Sequence, residues 1–561
     1  MECVACSRVV NPLFPSGWVL TKVPPVPRIH LVSNLPGVNA LGDHLRAAGL
    51  GPTSARSADA LLVLIDRPLD HVEQELLDRA RQSVPVLLAG PTVRSLSPDS
   101  PLIDASGLTP GRVTPLYDLP LIPGPDGAAV AARLGDFRPR ESWVIPEKVA
   151  EDVERLLMVR HEMGEHPICT WRPSTGLGIF TLGAGEELLA DPRYQRLVGR
   201  WLRHALGVTD AGPVKVGLIG APDVFGVHID AVDAVEGLEL AALCDGGMAR
   251  PPGQDTDRPA RRVDDPDDLV NDPELNLVIV ATPTHTHVEW ARRALEAGKQ
   301  VVVHAPMCLS THEVDELTEL AQSRSLLLAV YPDGRDDPGH RAMRTAVHRG
   351  DVGEVMWIDV FSGGLRRPTG TWHDDERISG GLIFDRGAVQ LGRVLDLVDD
   401  QVEWVSAFGH KRVWHHVTNA DHARVLLHFA GGCEAQVTIS DVAAAARPGT
   451  QVLGSIGSLL ARDARDGHDA RDARDARDAR DARDGHGGAP RSPRLLAHDG
   501  TRTALSTGPH DATRFHRELA DCLVAGWPLA EQQPEDARRL VAVLEAARRS
   551  AAAGGAQMAP G

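Results

Sequence analysis

A repeated alternation of short apolar strands with amphipathic helices constrains the fold of this chain more than any other feature. From residue 213 onward, helical patterns such as the one from Val288 to Ala297 separate four apolar segments, VKVGLIG, LELAALCD, LNLVIVATP and QVVVHAP. Apolar strands that alternate with helices form parallel sheets covered on both faces. The pattern therefore predicts an α/β fold with a parallel sheet in residues 213–335.

Another α/β region precedes this one, in residues 27–208. The apolar runs RIHLVS, ALLVLIDRP and VPVLLAGP alternate with helical patterns, including the amphipathic stretch from His71 to Gln82. This alternation again predicts a parallel sheet. Residues 1–26 are rich in Pro and turn formers, so we expect them to form a flexible leader.

The end of the first region predicts a strand, a Gly turn, a second strand and a helix in HPICTWRPSTGLGIFTLGAGEELLADPRYQRLVGRWLRHAL. This string resembles the closing segment of trehalose-utilisation (ThuA-like) domains, which are relatives of class I glutamine amidotransferases with a flavodoxin-like sheet. In amidotransferases proper, a Cys follows a central strand at a turn whose amides stabilise an oxyanion. Here Pro91 and Thr92 follow VPVLLAG, so we expect no glutaminase activity.

The pattern changes after Gly350 toward longer alternating strands, VMWIDVFSGG, WVSAFGH, ARVLLHFA and EAQVTIS. Such strands predict an open, mostly antiparallel sheet with helices on one face, in residues 336–554. This region contains a low-complexity insertion at 462–488, dominated by Arg-Asp-Ala triplets. A period of three presents no steady apolar face, so we expect a solvated insertion in a hairpin.

Composition excludes several classes of protein. The chain of 561 residues has a formal net charge of −18, which argues against a nucleic-acid partner. No signal peptide is predicted, because Pro12 and Pro15 break the apolar stretch of the amino terminus. No membrane span is predicted either, because no apolar run reaches about 18 residues. Seven Cys suit a reducing cytoplasm, and the lone CxxC of Cys3 and Cys6 lies in the leader, so we expect a cytoplasmic protein without a metal site.

A dinucleotide-binding arrangement is predicted where the parallel sheet of residues 213–335 begins. A strand ends at Gly220, a turn leads into a helix near His228, and Asp245 ends the next strand. In such folds the turn brings backbone N–H groups to a pyrophosphate and the acid binds the adenosine ribose. The predicted cofactor-binding residues here are Gly220, Ala221, Gly226 and Asp245.

The glycine pattern of this turn is incomplete. A G-x-G-x-x-G motif would require glycine at Pro222 and Phe225, and Gly226 comes one place late. Because Pro222 lacks an N–H, contact with a pyrophosphate is weakened or rerouted. The alternative is a Rossmann-like sheet that binds nothing.

Longer stretches of the chain resemble the Gfo/Idh/MocA oxidoreductase family. They are VIVATPTHTHVEWARRALEAGKQVVVHAPMCLS, HRGDVGEVMWIDV, TWHDDERISGGLIFDRGAV, QVLGSIGSLLA and FHRELADCLVAGWPLAEQQPEDARRLVAVLEAARRS, which together span Pro213 to near Gly554. The resemblance implies a Rossmann domain that binds NAD(P), and a C-terminal domain whose large sheet carries the substrate pocket and often an oligomer contact. It also implies that Thr282, Pro283 and His287 line the nicotinamide side; alternatively, His287 only begins a helix.

The catalytic positions implied by the resemblance are partly altered. Family members carry Glu-Lys-Pro after the fourth strand, where this chain has His304, Ala305 and Pro306. They also carry an Asp followed four residues later by a His that transfers a proton; Asp385 is present, but Val389 replaces the His.

An enzyme with these changes needs another proton acceptor, because the cofactor supplies only the hydride chemistry. The candidates are His304, at a strand end facing the cofactor, and His373, in the WHDD loop before Asp385. Either imidazole can titrate near neutral pH. The alternatives are a packed His304, a solvated His373, and an Asp385 that caps a helix or ties a loop instead of orienting a His.

Charge argues for NAD over NADP. The carboxylate of Asp245 would repel a 2′-phosphate, although Arg250 lies close enough in sequence to leave NADP open. The sequence thus predicts an NAD-dependent oxidoreductase, expected to be a homo-oligomer, that acts on a sugar, cyclitol or related polyol. The alternative is a catalytically silent protein that binds a dinucleotide or a sugar and has a regulatory or assembly role.

Overall fold

The computed structural model describes most of residues 28–561. Within this range it leaves out residues 34, 36–40, 42–44, 46–57, 66, 95, 97–98, 119, 133, 135–136, 162–163, 183–184, 186–187, 190, 209–212, 246–259, 333, 335–336, 446, 462–491, 508–509, 526–528 and 530–533. The predicted leader with Cys3 and Cys6, Arg250 and the triplet insertion lie outside the described residues.

The chain forms two compact units. The first comprises the residues up to Val214 with Ala234–Leu238 and His516–Ala530; the second comprises Lys215–Asp233, Glu239–Phe515 and Glu531–Gly561.

The first unit is built on a seven-stranded mixed sheet with the order β1-β2-β3-β11-β10-β9-β6. Its strands are β1 (Ile29–Ser33), β2 (Ala60–Leu64), β3 (Val86–Ala89), β6 (Leu121–Pro123), β9 (Glu154–His161), β10 (Gly164–Arg172) and β11 (Leu177–Phe180). The strands β1, β2, β3 and β11 are parallel, as the alternation predicts. The strands β10, β9 and β6 extend the sheet in antiparallel fashion, which the sequence did not predict.

Helices and two small strand pairs complete the first unit. The strand pairs are β4 (Leu108–Val113) with β8 (Val144–Val149) and β5 (Tyr117–Asp118) with β7 (Arg140–Glu141). The helices are α1 (His71–Ala80), α2 (Pro91–Arg94), α3 (Pro101–Ser106), α4 (Ala128–Ala131) and α5 (Pro192–Ala205). Alternate residues of β2 face two different apolar clusters. Leu62 packs in one cluster, and Leu61 and Val63 pack in the other. The sheet is therefore buried on both faces, which explains its continuous apolar strands.

The helix α14 (Arg514–Ala525) contributes residues to the first unit although it lies far from it in sequence. Asp521 on α14 pairs with Arg196 and Arg200 on α5, and all three side chains are at most 6% exposed. Glu518 lies 3.5 Å from Arg196 in the same cluster. Buried guanidinium groups require such partners, so this ionic cluster joins the two helices.

The second unit begins with a parallel six-stranded sheet in the order β14-β13-β12-β15-β16-β17. Its strands are β12 (Val214–Gly220), β13 (Leu238–Cys244), β14 (Arg261–Arg262), β15 (Leu277–Ala281), β16 (Gln300–His304) and β17 (Leu328–Tyr331). Its helices are α6 (Pro222–Ala234), α7 (Pro266–Val270), α8 (His287–Glu296) and α9 (Thr311–Ser323). All five residues of β15 are buried, as expected for a strand covered on both faces. This is the predicted Rossmann arrangement, with the order reversing between β12 and β15.

An eight-stranded sheet forms the rest of the second unit, in the order β19-β20-β21-β18-β22-β23-β24-β25. The strands are β18 (Val355–Gly363), β19 (Val402–His410), β20 (His422–Phe429), β21 (Glu434–Ser440), β22 (Thr450–Gly454), β23 (Gly457–Ala461), β24 (Arg494–Ala497) and β25 (Arg502–Ala504). Only the pair of β18 and β21 is parallel, so the predicted open, mostly antiparallel sheet is confirmed. The strands β23 and β24 pair as the hairpin that flanks the triplet insertion.

The remaining helices of the second unit are α10 (Pro338–His348), α11 (Glu376–Ser379), α12 (Leu382–Asp385), α13 (Gly387–Leu397) and α15 (Pro534–Ala552). Helices α13 and α15 pack on the eight-stranded sheet with α10 against α13, so an apolar core lies between them. Among the described residues, no helix combines the length and apolar character that a membrane crossing needs.

Candidate functional site

The carboxyl ends of the parallel strands in the second unit form one edge of the sheet. The strands β12 and β15 are neighbours there and end at Gly220 and Ala281. The strand order reverses between them, and ligands of open α/β sheets bind outside the carboxyl ends at such a reversal. The predicted cofactor residues Gly220, Asp245 and Thr282 all lie at this edge.

The turn after β12 contains three of the predicted cofactor-binding residues, Gly220, Ala221 and Gly226. Gly220 packs so closely on β15 that a Cβ would lie 2.3 Å from the carbonyl oxygen of Ala281. At Gly226, no heavy atom of the described structure lies within 4 Å of the position a Cβ would take. Phe225 is only 5% exposed, so its ring does not project into solvent. Ala221, the next predicted residue, is small and 1% exposed.

The helix α6 begins earlier than predicted, at Pro222 and not near His228. At the first position of a helix an N–H has no partner within the helix, and proline fits there. Val224 and Phe225 donate their backbone N–H groups to the carbonyl oxygen of Ala221, which closes the first turn. Pro222 therefore removes one N–H donor at the start of α6.

Asp245 follows β13 directly and is half-buried. Since β13 neighbours β12, this carboxylate lies at the carboxyl edge beside the turn at Gly220. The turn and the acid together fit a nicotinamide dinucleotide: the first turn of α6 for the pyrophosphate and Asp245 for the ribose.

His287 bridges two loops at this edge. Its Nε2 lies 2.6 Å from the carbonyl oxygen of Thr282 and its Nδ1 lies 3.0 Å from that of Pro306. Burial lowers the pKa of His287 to about 4, although both carbonyl contacts oppose the shift. His287 is 2% exposed and begins α8, so its contacts support the structural alternative. Thr286 donates from Oγ1 to the carbonyl oxygen of Pro283 and lies 2.9 Å from Thr282 Oγ1, which further fixes this loop.

His304 ends β16 and packs among aromatic rings. Its Nδ1 lies 3.1 Å from Nε2 of the fully buried His228 on α6, and its ring stacks on Tyr331 with centroids 5.3 Å apart. The sequence named His228 only as a position in the helix, because its pairing depends on how α6 packs on the sheet. These contacts agree with a packed His304.

His373 and Asp385 form the closest acid-base pair of the predicted residues. His373 lies in a 3₁₀ turn (Trp372–Asp374), and its Nδ1 is 2.6 Å from Oδ1 of Asp385, the last residue of α12. The side chain of His373 is 38% exposed, whereas that of Asp385 is 10% exposed. A buried carboxylate that holds the Nδ1–H of a more exposed imidazole orients the ring as a proton acceptor.

This His-Asp pair belongs to a segment that packs near the cofactor edge. The helix α11 contacts both the 3₁₀ turn that holds His373 and the 3₁₀ turn Thr284–Thr286, which follows β15. After α11, Gly380 (φ +82°) approaches Leu309 so closely that a Cβ would lie 2.5 Å from Leu309 Cδ2. The pair is thus held beside the loops that follow β15 and β16.

Several residues that the sequence did not single out support the His373 turn. Asn419 donates from Nδ2 to the carbonyl oxygen of His373 and, at 3.2 Å, to Ser379 Oγ. The hydroxyl of Thr418 accepts the backbone N–H of Glu376 at 2.8 Å. Both residues lie in the connection between β19 and β20, about 45 residues beyond the turn, so no local pattern signals the contact.

Comparison with known proteins agrees with this geometry. Residues 214–331 match the family model described as oxidoreductase family, NAD-binding Rossmann fold, and residues 340–460 match the GFO/IDH/MocA C-terminal domain. This chain therefore carries both domains of the GFO/IDH/MocA oxidoreductases. The Rossmann domain supports a nicotinamide dinucleotide as the cofactor.

Individual GFO/IDH/MocA relatives are distant and match only part of the chain. An uncharacterized oxidoreductase of Schizosaccharomyces pombe is 30% identical over 29% of this chain and 45% of its own length. A myo-inositol 2-dehydrogenase of Thermotoga maritima is 25% identical over 39% of this chain and 66% of its own length. The crystal structure of an NAD-binding protein from Listeria innocua, 19% identical, covers 62% of this chain and 96% of its own with a TM-score of 0.53, which shows the shared fold. The chain thus spans about half the length of several curated relatives that it matches.

Proposed function

We propose that this protein is an NAD-dependent dehydrogenase that oxidises a secondary alcohol of a sugar, cyclitol or related polyol. The observation that carries the proposal is the His373–Asp385 pair, 2.6 Å apart, in a segment packed beside the cofactor edge of the Rossmann sheet. A myo-inositol 2-dehydrogenase among the relatives supports the substrate class.

In this mechanism His373 accepts the proton of the substrate hydroxyl. Its Nδ1–H donates to Asp385, so Nε2 carries the lone pair that takes the proton. A nicotinamide dinucleotide held at this edge would supply the hydride acceptor for the carbon that bears the hydroxyl. Asp385 stabilises the imidazolium that forms, and the products are a ketone, the reduced cofactor and one proton.

The residues proposed to hold the cofactor are those at the sheet edge. Gly220, Ala221 and Gly226, in the turn after β12 and in α6, would hold the pyrophosphate, and Asp245 would accept hydrogen bonds from the ribose hydroxyls. A carboxylate at this position favours NAD over NADP, because a 2′-phosphate would meet a like charge. Thr282 and Pro283 lie on the nicotinamide side, where His287 holds their loop in place.

A catalytically silent binding protein is the second candidate. It is favoured by the loss of the family Lys at Ala305 and by the contacts of His304, which is engaged by His228 and Tyr331. Such a protein would bind the dinucleotide or the sugar without turnover.

The first unit is proposed to be a ThuA-like domain without glutaminase activity. The succession of β10, a turn, β11 and α5 supports this assignment. After β3, Gly90 (φ +57°) leads to Thr92, which is fully buried and accepts the backbone N–H of Ile65 at 2.6 Å. A cytoplasmic location and a homo-oligomeric assembly are further parts of the proposal, supported by the Cys usage and the resemblance of the C-terminal domain.

The test uses the full-length protein with NAD and a panel of inositols, sugars and sugar alcohols. We expect reduced nicotinamide to appear with at least one polyol, and His373→Asn to lower kcat without changing NADH binding measured by fluorescence. His312→Asn is the matched control, because His312 is 82% exposed on α9. Bound NADH with no turnover of any panel member favours the silent alternative, and absence of NADH binding overturns the dehydrogenase proposal.

A further inference from the structure

The connection between β19 and β20 forms a compact support loop, residues 411–421. Asp421 is 1% exposed and accepts backbone N–H groups from Arg412, Val413 and Trp414, as well as Nζ of Lys411. Burial alone would raise the pKa of Asp421, but these donors outweigh it and lower the pKa to about 2. The carboxylate is therefore ionised at neutral pH and fixes the shape of the loop.

The support loop contacts the His373 turn from several sides. The backbone N–H groups of Thr418 and Asn419 both donate to the carbonyl oxygen of Asp374, each at 3.3 Å. Thr418 Oγ1 accepts from Glu376 and lies 3.3 Å from Asp375 Oδ1. These contacts hold the backbone on the C-terminal side of His373.

Asn419 is the support-loop residue whose side chain contacts His373 itself. One of its N–H bonds reaches the carbonyl oxygen of His373 itself and the other reaches Ser379 Oγ. Its Oδ1 is buried and has no hydrogen-bond partner among the described residues. A buried acceptor without a partner lowers the stability of the fold. The Asn419 side chain is therefore held in place by the two hydrogen bonds that its Nδ2 donates.

We infer that Asn419 is the positioning residue of the proposed dehydrogenase, holding His373 at hydrogen-bond distance from Asp385. The inference rests on the proposed function. Asn419 contacts the backbone oxygen of His373, Asp385 contacts its Nδ1, and the Trp372 ring stacks on its imidazole with centroids 3.7 Å apart. The support loop contributes the only one of these contacts that comes from outside residues 372–385.

The test replaces the donating amide with a group of the same size. In Asn419→Asp, an oxygen replaces Nδ2 and faces the carbonyl oxygen of His373, so the turn shifts away. Since a displacement of about 1 Å can reduce turnover by about 100-fold, we expect kcat to fall by about 10- to 100-fold with an unchanged Kd for NADH. We also expect the pH profile of kcat to shift, since Asp385 no longer orients the imidazole in one tautomer.

A readout in the protein without cofactor separates this inference from the proposed function. The Nδ1–H of His373 should give a downfield proton resonance that disappears in His373→Asn and is lost or displaced in Asn419→Asp. Asn271→Asp is the matched control, because Asn271 also donates from Nδ2 to a backbone carbonyl, that of Asp267 at 2.9 Å, on the surface of α7.

The outcomes are distinct. If no polyol is turned over, the proposed function is wrong, and if His373→Asn leaves turnover unchanged, the proposed catalytic role of His373 is wrong. If His373→Asn abolishes turnover but Asn419→Asp keeps the wild-type kcat, pH profile and resonance, the positioning role is overturned. Should Asn419→Asp fail to fold, Thr418→Val, which removes the acceptor for the Glu376 N–H, is held to the same criteria.

Discussion

Val389 packs directly against Gly334. Val389 Cγ1 lies 2.8 Å from the point where a Cβ on Gly334 would stand, and Arg393 donates to the carbonyl oxygen of Gly334 at 3.0 Å. The position where relatives carry a proton-transferring His is thus used here to pack α13 against the segment after β17.

This packing predicts that restoring the family residues will not create activity. In Ala305→Lys with Val389→His, the larger imidazole meets the Gly334 backbone, and overpacking of this kind costs about 1–3 kcal/mol. We expect a lower melting temperature and no increase in kcat over the wild type. An increase in kcat confined to the double variant contradicts this prediction and supports the silent alternative; Ala305→Lys alone is the control.

Asp385→Asn should lower turnover without changing the binding of NADH. The amide that replaces the carboxylate cannot stabilise the imidazolium of His373, so His373 becomes a poor general base, and general-base catalysis contributes about 10²- to 10⁴-fold. We expect a loss of kcat in this range, with NADH titrations that overlay those of the wild type. Asp315→Asn, on the exposed face of α9, should retain full activity. A variant of Asp385 with wild-type turnover would exclude the His-Asp pair as the catalytic centre.

Local periodicity predicted the elements of the fold well. The helical pattern predicted from Val288 to Ala297 corresponds to α8 (His287–Glu296), and α1 starts at His71, where the predicted amphipathic stretch begins. Spacing of apolar residues decides such elements, and this signal lies within about 10 to 20 residues of sequence. The antiparallel direction of β10, β9 and β6 was not predicted, because it depends on how these strands pair in the sheet.

Contacts within the site were predictable only where the two residues lie close together in the sequence. The possible orientation of His373 by Asp385, 12 residues away, followed from the altered family motif. The contacts of His304 with His228 and of Asn419 with His373 span 76 and 46 residues. Such pairs are set by how helices and loops pack on the finished sheets, for which one sequence carries no local signal.

Asp245 should determine the preference between cofactors. Removal of its carboxylate in Asp245→Ala abolishes hydrogen bonds to the ribose, and bonds to charged groups are worth about 1.5–3 kcal/mol. We expect NADH to bind about 10- to 100-fold more weakly and NADPH to bind no worse than before, both measured by fluorescence titration. Asp268→Ala on α7 is the control. Unchanged NADH affinity in Asp245→Ala would place the ribose elsewhere.

The buried imidazole of His287 makes stability depend on pH. Its pKa falls from the ordinary 6.5 to about 4 on folding, so the unfolded chain binds more protons between these values. Stability therefore decreases as the pH falls from about 6.5 to about 4, by up to about 3 kcal/mol for this one site. In His287→Gln the slope of unfolding free energy against pH should be shallower in this window.

His516, whose pKa burial also lowers to about 4, accounts for part of the remaining slope, and His516→Gln tests that part. A slope identical to the wild type in His287→Gln contradicts the prediction.

The ionic cluster of the first unit predicts that Asp521 is essential to its stability. Asp521 lies between the buried guanidinium groups of Arg196 and Arg200, and all three side chains are at most 6% exposed. Asp521→Asn removes the negative charge that lies between these two guanidinium groups, while Glu518 remains 3.5 Å from Arg196. Because breaking a buried ion pair costs about 3–5 kcal/mol, the unfolding transition in urea should move to a clearly lower concentration.

Glu165→Gln is the matched control: its partner Arg160 lies 2.7 Å away but is 72% exposed, so this change should cost at most about 1 kcal/mol. Equal effects of the two substitutions would mean that burial does not set the strength of the α5–α14 contact, and that residues 514–525 are held to the first unit by apolar packing instead.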